Sequence, residues 1–267
     1  MNHYVHQNKV ANHADCFKHA LLFEVLSHLH ATIGISHYIE SHSGAGLYSL
    51  QSISAKDKSP EWKNGIKKIM AVPGVQNISF FAYATAYFRQ NLNYPGSPLL
   101  ATQLLHDASF IFYENDEYVA QLLDGNLQFM NPEKYDVRIC DSWQSDTFGV
   151  QPCMKQPVLF IDPPYKREDF KRFKECIEKS FNQNNKLIIV IWHPVFSKAN
   201  QKEISDFLEA ILDTNMPKLK YQCLVENESD VTKNTMLGSG FVILNYSDSE
   251  LNGQLQAISE TISNVLR

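Results

Sequence analysis

Long apolar runs are missing from this 267-residue chain. No stretch approaches the roughly 18–20 residues that cross a bilayer. The start, MNHYVHQNKVANHADCFKHA, lacks the apolar centre of an export signal. A cytoplasmic location with no membrane partner is therefore expected. Cysteine is scarce as well: Cys16, Cys140, Cys153, Cys176 and Cys223 are odd in number and never spaced C-x-x-C. That pattern excludes a disulfide framework and a zinc ribbon, and it predicts free thiols. Basic charge is not in excess either, with 24 Lys and Arg against 29 Asp and Glu, a net charge of −5. Coating nucleic acid by charge alone is thereby disfavoured, while an enzyme with a local basic face is not. Repeats and low-complexity segments are absent.

What is present is ample core. Hydrophobic residues make up 44% and charged residues 20%, as in an ordinary globular domain. Asn12 to Leu29 reads as a capped helix with Phe17, Leu21, Leu22, Val25, Leu26 and Leu29 on one stripe. Seven short apolar runs follow, at 35–40, 109–114, 135–141, 157–162, 186–192, 220–226 and 240–246. Several are apolar throughout, as strands covered on both faces must be. Helical stretches such as Glu117–Leu127, Asp169–Phe181 and Gln201–Leu212 lie between most of them. Strand alternating with helix predicts an α/β fold with a mainly parallel sheet. Roughly 60 residues separate the first two strands, more than one crossover needs, so a helical insert over about 51–100 is predicted within a single domain. The last two strands lie too close in sequence for a crossover and are expected to pair antiparallel.

The chemistry-bearing residues gather at predicted strand ends. HYIESHSGAGLY places Gly44 and Gly46 after strand one, where glycines let backbone approach a ligand. Glu114 ends strand two, a position suited to ribose hydroxyls, and Asp141 ends strand three, suited to an exocyclic amine. Strand four runs VLFI straight into Asp162-Pro163-Pro164-Tyr165. Any one of these is an ordinary loop residue; their succession describes a nucleoside cofactor across strands one to three, with chemistry at strand four.

A planar amine is a poor nucleophile because its lone pair is delocalised. The Asp162 carboxylate and the Pro163 carbonyl can each accept one of its N–H bonds and localise that pair. Pro164 stiffens the turn, and Tyr165 offers a face on which a base can stack. A methyl sulfonium in line with the nitrogen would complete a direct displacement, with no metal and no Cys or Ser nucleophile. His3, His6, His13 and His19 share no helix face, so no metal site is expected among them. A polar N-terminal arm folded over the site is the better reading. KREDFKRFKECIEK (166–179) and KDKSPEWKNGIKK (56–68) are modest basic stretches, candidates for phosphate contacts. The residues alone leave open an adenine in RNA, an adenine in DNA and a protein glutamine amide as targets.

Y-x-H…N-H-A-D-x-x-K-H, S-H-S-G-A-G, Y-P-G-S-P-L-L-A and F-I-D-P-P-Y, in that order, resemble the RlmJ family of S-adenosyl-L-methionine-dependent adenine-N6 methyltransferases of large-subunit ribosomal RNA. The resemblance implies a class I (Rossmann-like) sheet of seven strands with an antiparallel last strand. It implies that Asp162 is the catalytic carboxylate and that His19, His42, Ser97, Glu114, Asp141 and Ser142 line the cofactor pocket. Tyr4, His6 and Lys18 would sit near the target base or order the N-terminal arm. A ribosomal RNA partner follows from the same resemblance; the sequence leaves the oligomeric state open, with a monomer favoured. The chain departs from the family pattern at Val5, at Asn8 to Ala11, at Ser142 and at Asn245-Tyr246-Ser247. Relatives linked to use of external DNA, and a degenerate binding protein without turnover, stand as alternatives.

Overall fold

A computed structural model describes residues 9–165, 170–212, 216–226 and 236–267. Its first helix, α1 (His13–Thr32), is capped by Asn12, whose side chain accepts the Asp15 N–H at 3.0 Å. The apolar stripe read from the sequence is buried along its whole length. Beyond α1, the chain alternates strand and helix around one sheet. The strands are β1 (His37–Glu40), β4 (Ser109–Glu114), β5 (Tyr135–Ile139), β6 (Pro157–Ile161), β7 (Ile188–Phe196), β8 (Lys218–Leu224) and β9 (Met236–Leu244).

Their spatial order is β5-β4-β1-β6-β7-β9-β8. β1 pairs parallel with β4 and β6, and β9 runs antiparallel between β7 and β8. The predicted fold class is therefore observed: a Rossmann-like α/β sheet with an antiparallel final strand. Chain order moves outward from β1 to β4 and β5, then returns to β6 on the other side of β1. That reversal is a topological switch point, and open α/β sheets bind ligands at the carboxyl ends of strands there.

Alternation explains why β6 reads apolar at every position. Val158 and Phe160 face the layer that holds α1, α5 (Ser97–Leu104), α6 (Glu117–Met130) and α9 (Ser249–Leu266). Leu159 and Ile161 face α7 (Phe170–Gln183) and α8 (Lys198–Leu212). All five β6 residues are buried. A strand covered on both sides leaves few ways to move its end, and Asp162 is the next residue.

Between β1 and β4 the chain makes a detour. β2 (Leu47–Ser49) and β3 (Asn93–Pro95) form a short antiparallel pair that the sequence patterns did not signal. Between them lie α2 (Leu50–Lys56), α3 (Ile66–Met70) and α4 (Ser79–Asn91). α5 follows as the true crossover into β4. Trp62, Ile66, Phe80 and Phe81 of the detour pack into the same core as α1. This second cover explains why α1 is buried nearly all round over its first ten residues.

Two strand ends differ from the sequence reading. β5 stops at Ile139 rather than Asp141, and β6 stops at Ile161. In both cases the acid starts the turn: Asp141 accepts the Trp143 N–H at 3.0 Å and caps a 3-10 turn over Ser142–Gln144.

Candidate active site

Because β1, β4, β5 and β6 are parallel, their carboxyl ends share one edge of the sheet. Glu40, Glu114, Asp141 and Asp162 stand along it, with the glycine turn 44–46 between.

The turn is held from several sides. The Gly44 N–H donates to Glu114 Oε2 at 2.9 Å, and the Asp116 N–H donates to Glu114 Oε1 at 3.0 Å. Gly44 and Gly46 have φ of +62° and +74°, which only glycine adopts readily. A Cβ on Gly46 would come within 2.7 Å of Leu99 and 3.0 Å of Leu123, so this glycine also lets α5 and α6 close on the turn. His42 is half-buried, with Nδ1 2.8 Å from Ser41 Oγ and its ring 5.2 Å from that of Trp143. Ser142 is buried, and its Oγ has no hydrogen-bond partner among the described residues. A buried orphan hydroxyl is costly unless a ligand completes it. A pinned carboxylate with free lone pairs, close-approach backbone and an orphan hydroxyl on one edge fit a nucleoside.

Asp162 meets a cation. Lys18 Nζ donates to Asp162 Oδ2 at 2.6 Å and lies 2.8 Å from Asp15 Oδ1. All three side chains are largely buried, at 6%, 13% and 9% exposure for Lys18, Asp162 and Asp15. Burial alone would lower the Lys18 pKa, but the two carboxylates outweigh it and hold the ammonium well above its ordinary value. Asp15 is itself fixed, accepting the Ala11 N–H at 2.8 Å. The Lys18 ammonium also lies 5.6 Å from the centre of the Trp192 ring.

Tyr165 sits at φ +52°, a left-handed conformation that costs a non-glycine residue about 1–3 kcal/mol. Its hydroxyl donates to the Trp192 carbonyl, which pins the strained turn. Its half-buried ring leans on Phe170, Phe173 and Trp192, with centres 6.0–6.3 Å apart. Burial, with a further push from Asp162, raises its pKa well above that of an ordinary phenol, so the ring stays neutral. Pro163 is buried and Pro164 exposed.

Other sequence-named residues sit further in. His19 is buried, with Nδ1 2.8 Å from the Tyr94 hydroxyl, between α1 and the β2–β3 excursion. Ser97, at the start of α5, donates to Glu40 Oε1 at 2.5 Å. Tyr4 and His6 lie outside the described residues.

Three neighbours were missed by sequence reasoning. In the sequence Asp15 reads only as part of the first helix, and Trp192 only as the end of the apolar run 186–192. Trp192 Nε1 is in fact buried without a partner among the described residues, with its ring beside Lys18. Glu40 drew notice only as the residue before a glycine turn. It is fully buried, bonded by Ser97 and, at 3.1 Å, by Tyr38.

Desolvation dominates at Glu40 and pushes its pKa from 4.5 to about 8, against the pull of the two hydroxyl donors. A folded pKa above the unfolded one means that the fold retains the proton. Its stabilisation is complete below about 4.5 and is lost as pH rises through about 8. Buried His193, lowered from 6.5 to about 4, acts oppositely, but only below 6.5. Urea unfolding between pH 6.5 and 8 should therefore show stability falling, by at most about 1.4 kcal/mol per pH unit, and Glu40→Gln should flatten that slope. An equal slope in the variant would remove Glu40 as the source.

Known proteins resemble this chain over most of its length. The chain is 28% identical to "Ribosomal RNA large subunit methyltransferase J" of Haemophilus influenzae over 253 residues, covering 91% of this chain and 86% of that one. It is 27% identical to the Escherichia coli K12 protein of the same name over 249 residues, with the same coverage. A crystal structure of a Legionella pneumophila protein superposes with a TM-score of 0.77 at 25% identity, covering 96% of this chain and 94% of that one. A family model described as "Ribosomal RNA large subunit methyltransferase D, RlmJ" matches residues 35–267, and the chain belongs to that family.

Proposed function

We propose that this protein transfers a methyl group from S-adenosyl-L-methionine to the N6 amino group of an adenine in large-subunit ribosomal RNA. The observation that carries the proposal is Asp162-Pro163-Pro164-Tyr165 at the end of a doubly covered strand, with Lys18 2.6 Å from the Asp162 carboxylate. The relatives' names support the RNA and the methyl transfer; the four residues support an amine as acceptor.

When bound, the cofactor supplies an electrophilic methyl on sulfonium. Gly44, Gly46, Glu114, Asp141 and Ser142 would hold its nucleoside, with His42 against Trp143 at the rim. His19 and Ser97 act one layer behind, His19 by fixing α1 to Tyr94 and Ser97 by fixing Glu40. Asp162 and the Pro163 carbonyl accept the two N–H bonds of the incoming amine, which localises the nitrogen lone pair toward the methyl. Tyr165 and Pro164 bound the base. Lys18, bonded to Oδ2, holds the Asp162 carboxylate in place. One proton of the amine leaves after transfer, and Asp162 is the nearest base.

RNA phosphates need cations that are not already spent. On α7, Lys171 and Lys174 pair with Glu175 and Glu178, while Arg172 and Lys179 both reach Asp146. Such exposed pairs leave little field for a polyanion. Lys56, Lys58, Lys63 and Lys67 make no ion pair among the described residues. Their stretch adjoins the start of α1, where the Ile66 N–H bonds the Ala11 carbonyl at 3.0 Å. The 56–68 stretch is therefore the better phosphate surface of the two.

Calorimetric titration with S-adenosyl-L-methionine tests the cofactor half. Glu114→Ala should weaken binding tenfold or more, since it loses both the ribose acceptor and the anchor of Gly44. Unchanged affinity would remove Glu114 from the pocket.

A further inference from the structure

The opposite edge of the sheet carries a second cluster of coordinating side chains. His30 lies in the last turn of α1, and His106 with Asp107 lies in the turn between α5 and β4. One ligand atom from each of the three lies within 4.8 Å of the other two. The His30 and His106 rings meet edge to face, 5.7 Å apart. His30 Nδ1 is buried and has no hydrogen-bond partner among the described residues, an unusual state for an imidazole nitrogen.

The backbone beneath the cluster is fixed. The Ser109 N–H donates to the Ser36 carbonyl at 3.0 Å, the Ala108 N–H to the Leu105 carbonyl at 2.9 Å, and the Gly34 N–H to the Leu29 carbonyl at 3.1 Å. These bonds hold the end of α1 and the turn into β4 in one register. His106 and Asp107 are exposed, so their side chains are free to rotate inward. Tetrahedral ligands at about 2.0–2.1 Å from zinc sit roughly 3.3 Å apart, so closing the site takes about 1.5 Å of movement by the exposed side chains.

We propose that His30, His106 and Asp107 bind one divalent transition ion of the zinc, cobalt or nickel class. Two imidazoles and one carboxylate select borderline metals over magnesium or calcium, and the fourth position is left to water. The location argues for a staple rather than a catalyst. Glu114, at the reactive edge, lies a full six-residue strand away, about 17 Å at 3.3 Å per residue. An ion here ties the C-terminal turn of the helix that carries Lys18 to the strand that carries Glu114. This site stands independently of the reaction proposed above, and it adds a metal that sequence reasoning did not expect.

The test uses the full chain stripped with a chelator, then titrated with zinc and, separately, with cobalt. The wild type should take up one ion per chain saturably, gain melting temperature, and give cobalt absorption with nitrogen ligation. His106→Ala and Asp107→Asn, both on exposed side chains, should each lose affinity tenfold or more, along with the thermal gain. Absence of saturable uptake overturns the site. So does equal affinity in His106→Ala, which would assign the ion to other histidines as an adventitious one.

Discussion

Asp162→Ala is expected to lower single-turnover methyl transfer by about a thousandfold or more while changing cofactor affinity by no more than a few fold. Two features set this expectation. Removing the carboxylate takes away the acceptor that localises the amine's lone pair, and a lost electrostatic or acid–base partner at a reacting centre commonly costs 10²–10⁴ in rate. The fold should survive, because Lys18 keeps Asp15 at 2.8 Å and is not left as an unpaired buried charge. Asp162→Asn should fall between the two, retaining one acceptor oxygen without the charge. Cofactor affinity measured on the same preparations separates a chemical role from a binding one. If Asp162→Ala loses the cofactor as well, Asp162 belongs to the pocket and not to the methyl acceptor.

Lys18→Met should behave differently, with loss of stability as well as of activity. The substitution leaves Asp15 and Asp162 facing each other at about a tenth exposure with no cation between them. Breaking a buried ion pair from one side costs about 3–5 kcal/mol. Urea unfolding of Lys18→Met and wild type at pH 8 reads this directly. A variant as stable as the wild type at pH 8 would mean that the Lys18–Asp162 contact contributes nothing to the ground state.

The strands were legible because apolar runs are local patterns, and the acids that follow them could be placed at one edge of the sheet for the same reason. All seven strands of the main sheet lie within a few residues of the predicted runs, and the antiparallel end followed from a short connection. Partners that meet across the fold were not legible in this way. Lys18 and Asp162 are 144 residues apart, and nothing in either segment says which acid the lysine reaches. Glu40 showed only an acid before a glycine turn; its burial depends on Ser97 and Tyr38 closing over it. The β2–β3 pair escaped notice because three-residue strands are too short to show a period of two. On α7 the sequence showed the basic residues but not that Asp146, from a distant turn, lies beside two of them.

One assay tests the central claim most directly. Labelled S-adenosyl-L-methionine would be offered with unmodified large-subunit ribosomal RNA, duplex DNA and single-stranded DNA in parallel, with Asp162→Ala as control. Digestion to nucleosides then locates the label. The geometry and the family predict label as N6-methyladenine in the RNA alone, lost in the control. Label in DNA alone, on another atom of the base, or nowhere despite measurable cofactor binding would contradict the account.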